Sequence, residues 1–189
     1  MTLLVVSVVL VGILCLLNLV LVLALAKRVR DLATLVARVR NNGIARDGFL
    51  AVGETVGDFT AQTVDGRQVT RDELTAGALI GFFSTGCGAC RETIPAFVEQ
   101  ARELRDQGQL ALAVVARGPE DPTSYVEPLA RAAHVVVEGY DGPVGSAFKV
   151  SAFPSFCVIG DQARVRAVSN DVGEVARAHV PASLGRAGT

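Results

Sequence analysis

A chain of 189 residues, 50% of them hydrophobic, has room for one domain and a short accessory segment but not for two full domains. Its formal net charge of −1 gives no argument for the basic face of a nucleic-acid binder, and with no tryptophan and only two tyrosines aromatic stacking platforms are scarce. The four cysteines, Cys15, Cys87, Cys90 and Cys157, are too unevenly spaced for the disulfide framework of a small secreted domain, so the close pair points to redox chemistry.

From Leu3 to Ala26 there is no charged residue, and Asn18 is the one conspicuously polar side chain. At 1.5 Å per helical residue such a run crosses the roughly 30 Å hydrocarbon core of a bilayer. It is apolar all round, so a transmembrane helix over residues 1–26 is expected. A cleaved signal peptide would have a basic start and a shorter apolar core. No Lys or Arg precedes Lys27, although Ala24-Leu25-Ala26 does mimic a cleavage site. Cys15 follows the bulky Leu14, which disfavours a lipoprotein site, and reads as an ordinary apolar helix residue.

Residues 27–51 read as a juxtamembrane stalk and linker. Val29, Leu32, Val36 and Val39 recur at three- and four-residue steps, one stripe of a helix, and Asn41-Asn42-Gly43 supplies a stop. Residues 44–57 lack a period and carry Gly48, Gly53 and Gly57, as a linker into the folded domain would. The domain itself is placed at 52–180, with 181–189 as a polar tail.

Within the domain, Phe59–Val64 and Arg67–Val69 flank Asp65-Gly66, the signal of a β-hairpin. Thr70 and Glu73 have the spacing of a capping box at a helix start. Ala78–Ser84 is long enough for one buried strand, and Glu92–Arg105 has helical character. Leu110–Ala116 fits a central parallel strand covered on both faces. Asp121-Pro122-Thr123 opens a helix through Ala133 that Pro128 shortens or kinks. Val135–Glu138 is a further strand and Val144–Phe148 a brief helix. Ser155–Ile159 and Arg164–Val168 are two strands joined through Gly160-Asp161, and a last helix covers Asp171–His179. This βαβ-then-ββα order predicts an α/β domain with a mixed sheet flanked by helices, preceded by a β-hairpin.

The chemistry concentrates at Cys87-Gly88-Ala89-Cys90, where the buried run ends and the helix begins. A thiolate, not a thiol, attacks a disulfide, and a free cysteine is mostly protonated at neutral pH. Unpaired amides and the dipole at a helix start stabilise the negative sulfur. Cys87 is therefore the candidate nucleophile, and Cys90, one turn on, the resolving thiol. Zinc uses the same spacing but needs four ligands. There is no second CxxC, and His134 and His179 have no matching spacing. A copper-handling protein using the two thiolates is the alternative.

The segment Gly81-Phe82-Phe83-Ser84-Thr85-Gly86-Cys87-Gly88-Ala89-Cys90-Arg91 resembles the active-site stretch of the thioredoxin superfamily. Val56-Gly57-Asp58-Phe59 with Val64-Asp65-Gly66 resembles the opening hairpin of its TlpA/ResA-like, AhpC/TSA-related branch. The likeness covers roughly residues 52–175, and the apolar helix with its basic stalk is similar to the methylamine dehydrogenase accessory proteins of the MauD type. It implies a thioredoxin-like fold and a cis-proline loop facing the CxxC, for which Phe153-Pro154-Ser155-Phe156 fits. It also implies dithiol–disulfide exchange with protein thiol or disulfide substrates and an upstream redox partner, without a cofactor or metal. Maturation of cytochrome c or another exported redox protein is the implied setting.

Several residues depart from that pattern. The buried acid that thioredoxins carry in the strand before the CxxC is matched here by Gly81, so proton transfer would need Glu92, water or substrate. Thr85 and Cys87 do not have the spacing of a peroxidase signature. Arg91 reads as a surface charge or an aid to the thiolate, and Cys157 as buried core. Lys27, Arg28, Arg30, Arg38 and Arg40 all follow the apolar span, which by the positive-inside rule turns the domain inward. The family resemblance turns it outward. A single-pass membrane protein with an extracytoplasmic redox domain is the expectation, because an anchored redox pair fits the side where disulfides persist.

Overall fold

A computed structural model describes residues 49–179 together with Met1 and Gly12. The chain divides into two compact units, 1–42 and 43–189, and the described fold belongs to the second. The expected membrane helix, most of the stalk, Cys15 and the polar tail lie outside the described residues. Among the described residues no helix is long and apolar enough to cross a membrane.

Two apolar runs with no polar alternation become the centre of the sheet. They are β3 (Leu79–Ser84) and β4 (Ala111–Ala116), buried at every residue. They pair in parallel, joined by the crossover helix α1 (Gly88–Asp106). Burial on both faces is what allows continuous hydrophobic sequence in a parallel strand. A second crossover, the short helix α2 (Thr123–Leu129), brings in β5 (His134–Glu138) parallel to β4. The helix α2 stops well before Ala133, one residue beyond Pro128, which lacks the N–H to continue the ladder. After the five-residue α3 (Pro143–Ala147), β6 (Ser155–Ile159) pairs antiparallel with β3. The antiparallel β7 (Val165–Ser169) closes that edge, and α4 (Val172–His179) follows. The strand order is β5-β4-β3-β6-β7, which makes β3 the central strand.

The N-terminal hairpin forms as expected from β1 (Thr60–Gln62) and β2 (Gln68–Thr70). Gly66 takes a φ of +86° at its tip, a conformation that costs glycine little. The Val64 amide donates to the Val135 carbonyl at 2.8 Å, which ties the hairpin to the β5 edge. Further details refine the sequence expectation. The helix start at Thr70 is a single 3-10 turn, Arg71–Glu73, though the Thr70 amide does donate to the Glu73 carboxylate at 3.2 Å. The β6–β7 connection, which runs through Gly160-Asp161 as expected, contains a further 3-10 turn, Asp161–Ala163. Part of the stretch read as linker is built into the domain. Phe49, Leu50 and Val56 are buried, and Gly53 and Val56 donate amides to the carbonyls of Val165 and Ala163 at 2.7 and 3.0 Å. Glycine content suggested a linker there, but the paired backbone and the apolar side chains between the glycines decide the outcome.

Side-chain alternation along β3 divides the core. Ile80 and Phe82 face a layer with Phe49, Phe59 and Phe148, under the hairpin and α3. Leu79 and Phe83 face the other layer, where α1, α2 and α4 contribute Phe97, Tyr125, Leu129 and Val175. The helix α1 runs through Pro95, whose missing N–H leaves one early intrahelical bond unmade. Its stripe of Ile94, Phe97, Val98, Ala101 and Leu104 fastens it to the sheet all the same. Phe97 stacks on Phe156 at 5.9 Å between centroids and meets Phe83 edge-on at 5.3 Å. Each such ring pair contributes about 0.5–1.5 kcal/mol beyond the area it buries.

This aromatic cluster explains the missing acid in β3. A Cβ placed on Gly81 would lie 2.6 Å from Cε2 of Phe97 and 3.0 Å from Cε2 of Phe83. The rings occupy the space an acidic side chain would need. Gly81→Ala is therefore expected to cost about 1–3 kcal/mol through overpacking, read as a lower midpoint in urea denaturation with an unchanged slope.

Candidate active site

The carboxyl end of β3 delivers the CxxC to the middle of the sheet. Ser84 is the last strand residue, and a tight turn follows in which the Cys87 amide donates to the Ser84 carbonyl at 3.2 Å. Gly86 has a φ of +87° in that turn, and a Cβ placed on it would lie 2.9 Å from Cγ of Pro119. Cys87 is extended, with φ −91° and ψ 107°, and occupies the N-cap position of α1. Its sulfur accepts a hydrogen bond from the Cys90 amide at 3.2 Å. A helix start leaves four amides without intrahelical partners, and here one of them is satisfied by the sulfur itself. The interaction strengthens when the sulfur is negative, since both the amide and the helix dipole then act on a full charge.

The two thiols are placed unequally. Cys87 is partly exposed and is flanked by the exposed Gly88 and Ala89, while Cys90 is fully buried. Burial first, and then the hydrogen bond with the Cys87 side chain, push the Cys90 thiol up to about 12. Cys87, Cys90 and Cys157 are free thiols in this structure.

Pro154 is brought to the same place from a distant part of the chain. The Phe153–Pro154 peptide is cis, Pro154 is buried, and the Phe153 carbonyl lies 3.8 Å from the Cys87 sulfur, which donates to it. The Ser155 hydroxyl donates to the Ala152 carbonyl at 2.7 Å and pins the loop. All three expected site residues thus converge, with the carbonyl ahead of Pro154, rather than the proline ring, making the polar contact.

The structure adds Tyr125, Tyr140 and Glu138, which the sequence did not single out, and gives Arg91 and Thr85 their partners. Tyr125, buried on α2, accepts from the Gly86 amide at 3.3 Å and donates to the Cys87 carbonyl at 3.4 Å. The Arg91 guanidinium lies over its ring, 5.5 Å from the centroid, and pairs with Glu120. On the other side the hydroxyls of Ser84 and Tyr140 are 2.8 Å apart, and the Tyr140 ring meets Phe153 edge-on at 5.9 Å. The Gly118 amide donates to the Thr85 hydroxyl at 2.7 Å. Glu138, at the end of β5, accepts the Val144 and Gly145 amides of α3 at 3.1 and 2.7 Å. Burial raises the Glu138 carboxyl above its usual range, and the two amides oppose that shift. A raised folded-state pKa favours the fold at mildly acidic pH, and the contribution weakens as pH rises through it.

Other candidates fall away from the centre. Glu92 is exposed on α1. Cys157 is fully buried in the layer with Ile80 and Phe82, whereas Cys90 lies in the opposite layer with Phe83 and Phe97. Burial holds the Cys157 thiol well above its ordinary range. His134 sits at the start of β5, where its Nε2 is 3.1 Å from the Arg67 guanidinium. Among the described residues no three His, Cys, Asp or Glu side chains gather as a metal site would need.

A central strand ending in a CxxC that caps a helix, opposite a cis-proline loop, defines a thioredoxin fold with a dithiol site. Residues 52–168 match the AhpC/TSA family, and the chain belongs to it. Solved structures agree on the fold. A thiol:disulfide interchange protein from Bacteroides sp. is 21% identical, with 72% of this chain and 95% of that one covered and a TM-score of 0.57. The thioredoxin domain of a thiol-disulfide oxidoreductase from Bacteroides vulgatus is 17% identical, covering 68% of this chain and 94% of its own, with a TM-score of 0.55. A thio-disulfide isomerase from Thermus thermophilus is 21% identical, covering 68% and 92%, with a TM-score of 0.51. No curated protein sequence matches the chain. An oxidoreductase acting on sulfur groups is the enzyme class to which the family and these neighbours point.

The unequal burial of the thiols yields a direct expectation. Iodoacetamide at pH 7.5 should modify Cys87 within the folded domain while sparing Cys90 and Cys157, and all three should react in denaturant. Peptide mass spectrometry reads the result, and early labelling of Cys90 would contradict the geometry.

Proposed function

We propose that the protein is a thiol–disulfide oxidoreductase that exchanges the Cys87/Cys90 dithiol with disulfides of protein substrates. The observation that carries this reading is the Cys87 sulfur acting as the cap of α1, partly exposed, with the buried Cys90 one turn behind it. In the reducing direction the Cys87 thiolate attacks one sulfur of a substrate disulfide. The substrate S–S bond breaks, and its other sulfur leaves as a thiolate that takes up a proton. Cys90 then loses its proton to water or to the departing sulfur and attacks the Cys87 sulfur. The mixed disulfide breaks, the second substrate thiol is released, and the protein holds the Cys87–Cys90 disulfide. Two electrons have passed to the substrate, and the reverse sequence oxidises a substrate dithiol.

The high pKa of Cys90 suits it to waiting. It stays a thiol while Cys87 reacts, so it does not compete for the substrate. The Phe153 carbonyl beside the sulfur offers an acceptor to the backbone amide of an extended peptide, and so supports a polypeptide substrate. Insulin disulfide reduction should be lost in Cys87→Ser, whereas Cys90→Ser should accumulate a mixed disulfide visible on a non-reducing gel. Tight Cu(I) uptake by a protein that turns over no disulfide would replace this reading with copper handling.

The proposal extends to location and setting. The uncharged stretch Leu3–Ala26 supports a single-pass anchor in the cell membrane, and the exchange chemistry supports an extracytoplasmic domain that matures cytochrome c or another exported redox protein. An impermeant maleimide applied to intact cells should label Cys87. Labelling seen only after lysis would place the domain on the cytoplasmic side, as the basic stalk favours.

A further inference from the structure

We propose that Tyr125 is a positioning residue for Cys87, holding the redox turn so that the sulfur stays aimed at the amide that stabilises its thiolate. The inference rests on the reading of Cys87 as nucleophile and adds a residue from a different helix to the site.

The Tyr125 hydroxyl bridges two consecutive residues of the turn. It accepts from the Gly86 amide at 3.3 Å and donates to the carbonyl of Cys87 at 3.4 Å. Those two groups bound the backbone segment whose torsions set the direction of the Cys87 side chain. The same carbonyl accepts from the amides of Cys90 at 3.1 Å and Arg91 at 3.3 Å. Tyr125 therefore supplies the only side chain in this set, and its bond is the one that ties the turn to a neighbouring helix. The hydroxyl has fixed coordinates because the ring is 1% exposed and packed in the layer formed by α1, α2 and α4.

A second contact reinforces the first. Arg91, four residues after Cys87 on α1, lies over the Tyr125 ring and is held there by Glu120. Residues four apart share a helix face, so this clamp brings a cation to the side of α1 that carries Cys87. Arg91 and Glu120 are the charged groups attached to the Tyr125 clamp; Cys90 is the titratable group on the helix start itself. The loop before α2 thus reaches the redox turn through Glu120, and α2 reaches it through Tyr125. Freed from the hydroxyl, the turn can rotate the sulfur away from the Cys90 amide. The thiolate then becomes less stable and the dithiol a stronger reductant.

The experiment compares Tyr125→Phe with the unaltered chain, since phenylalanine retains the buried ring and removes the bridge alone. Rates of Cys87 alkylation are measured from pH 5 to 10, and the reduction potential against glutathione. The expected result is alkylation slowed about three- to tenfold at pH 7 and a more negative potential. An unchanged alkylation profile and potential, even with slower turnover or a lower Tm, would overturn the proposal and leave Tyr125 a packing residue. Because alkylation needs no disulfide substrate, this outcome is separable from failure of the oxidoreductase reading, which the insulin assay reports. Should Tyr125→Phe not fold, Tyr140→Phe leaves Tyr125 as the one tyrosine of the chain. Its ultraviolet difference spectrum must then shift when the cysteine pair is oxidised, and a spectrum indifferent to oxidation would equally overturn the proposal.

Discussion

The bond from the Cys90 amide to the Cys87 sulfur, 3.2 Å long, joins fold and chemistry in one contact. It exists because a fully buried central strand ends at Ser84 and a helix begins at Gly88, leaving three residues to reverse the chain. The sulfur takes the place usually held by a serine or aspartate oxygen at a helix start. A thiol is a poor acceptor and a thiolate a strong one, so the cap is best made in the reactive state. The local need of the helix and the chemical need of the nucleophile are met by the same charge.

Around that contact the surroundings sort by distance from solvent. Cys87 lies where a substrate can reach it, Cys90 lies behind it in an aromatic and aliphatic layer, and the Phe153 carbonyl forms the facing edge. The aromatic packing has a chemical side effect. With Phe97 filling the space beside Gly81, no carboxylate among the described residues stands inside the layer that holds Cys90. Membership of the AhpC/TSA family is compatible with this, since the dithiol rather than a peroxidase signature is what this chain carries.

Much of this was legible in the sequence because the signals are local. The continuous apolar run before Cys87 and the Asp65-Gly66 turn each carry their own physical cause, and the strands they imply are present. Pro154 was found through resemblance rather than through spacing, since nothing in 63 intervening residues between Cys90 and Pro154 records that the two meet. Tyr125 was missed for the same reason. Its role arises from the crossover that sets α2 against α1, and in sequence it is one apolar-facing aromatic in a short helix broken by Pro128. The segment around Phe49 and Leu50 carries no such local signal, because its glycines resemble a linker and the partners of its two bulky side chains lie far along the chain, by α3 and β7.

The opposition of Cys90 and Cys157 across the sheet bears on the fidelity of pairing. Both are buried thiols, and both belong to strands or helices adjoining β3, yet one side chain lies in each layer. A bond between them would have to pass through the backbone of the sheet itself. The sheet therefore works as an insulating partition that keeps the Cys157 thiol apart from the layer holding Cys90 and packed against Cys87.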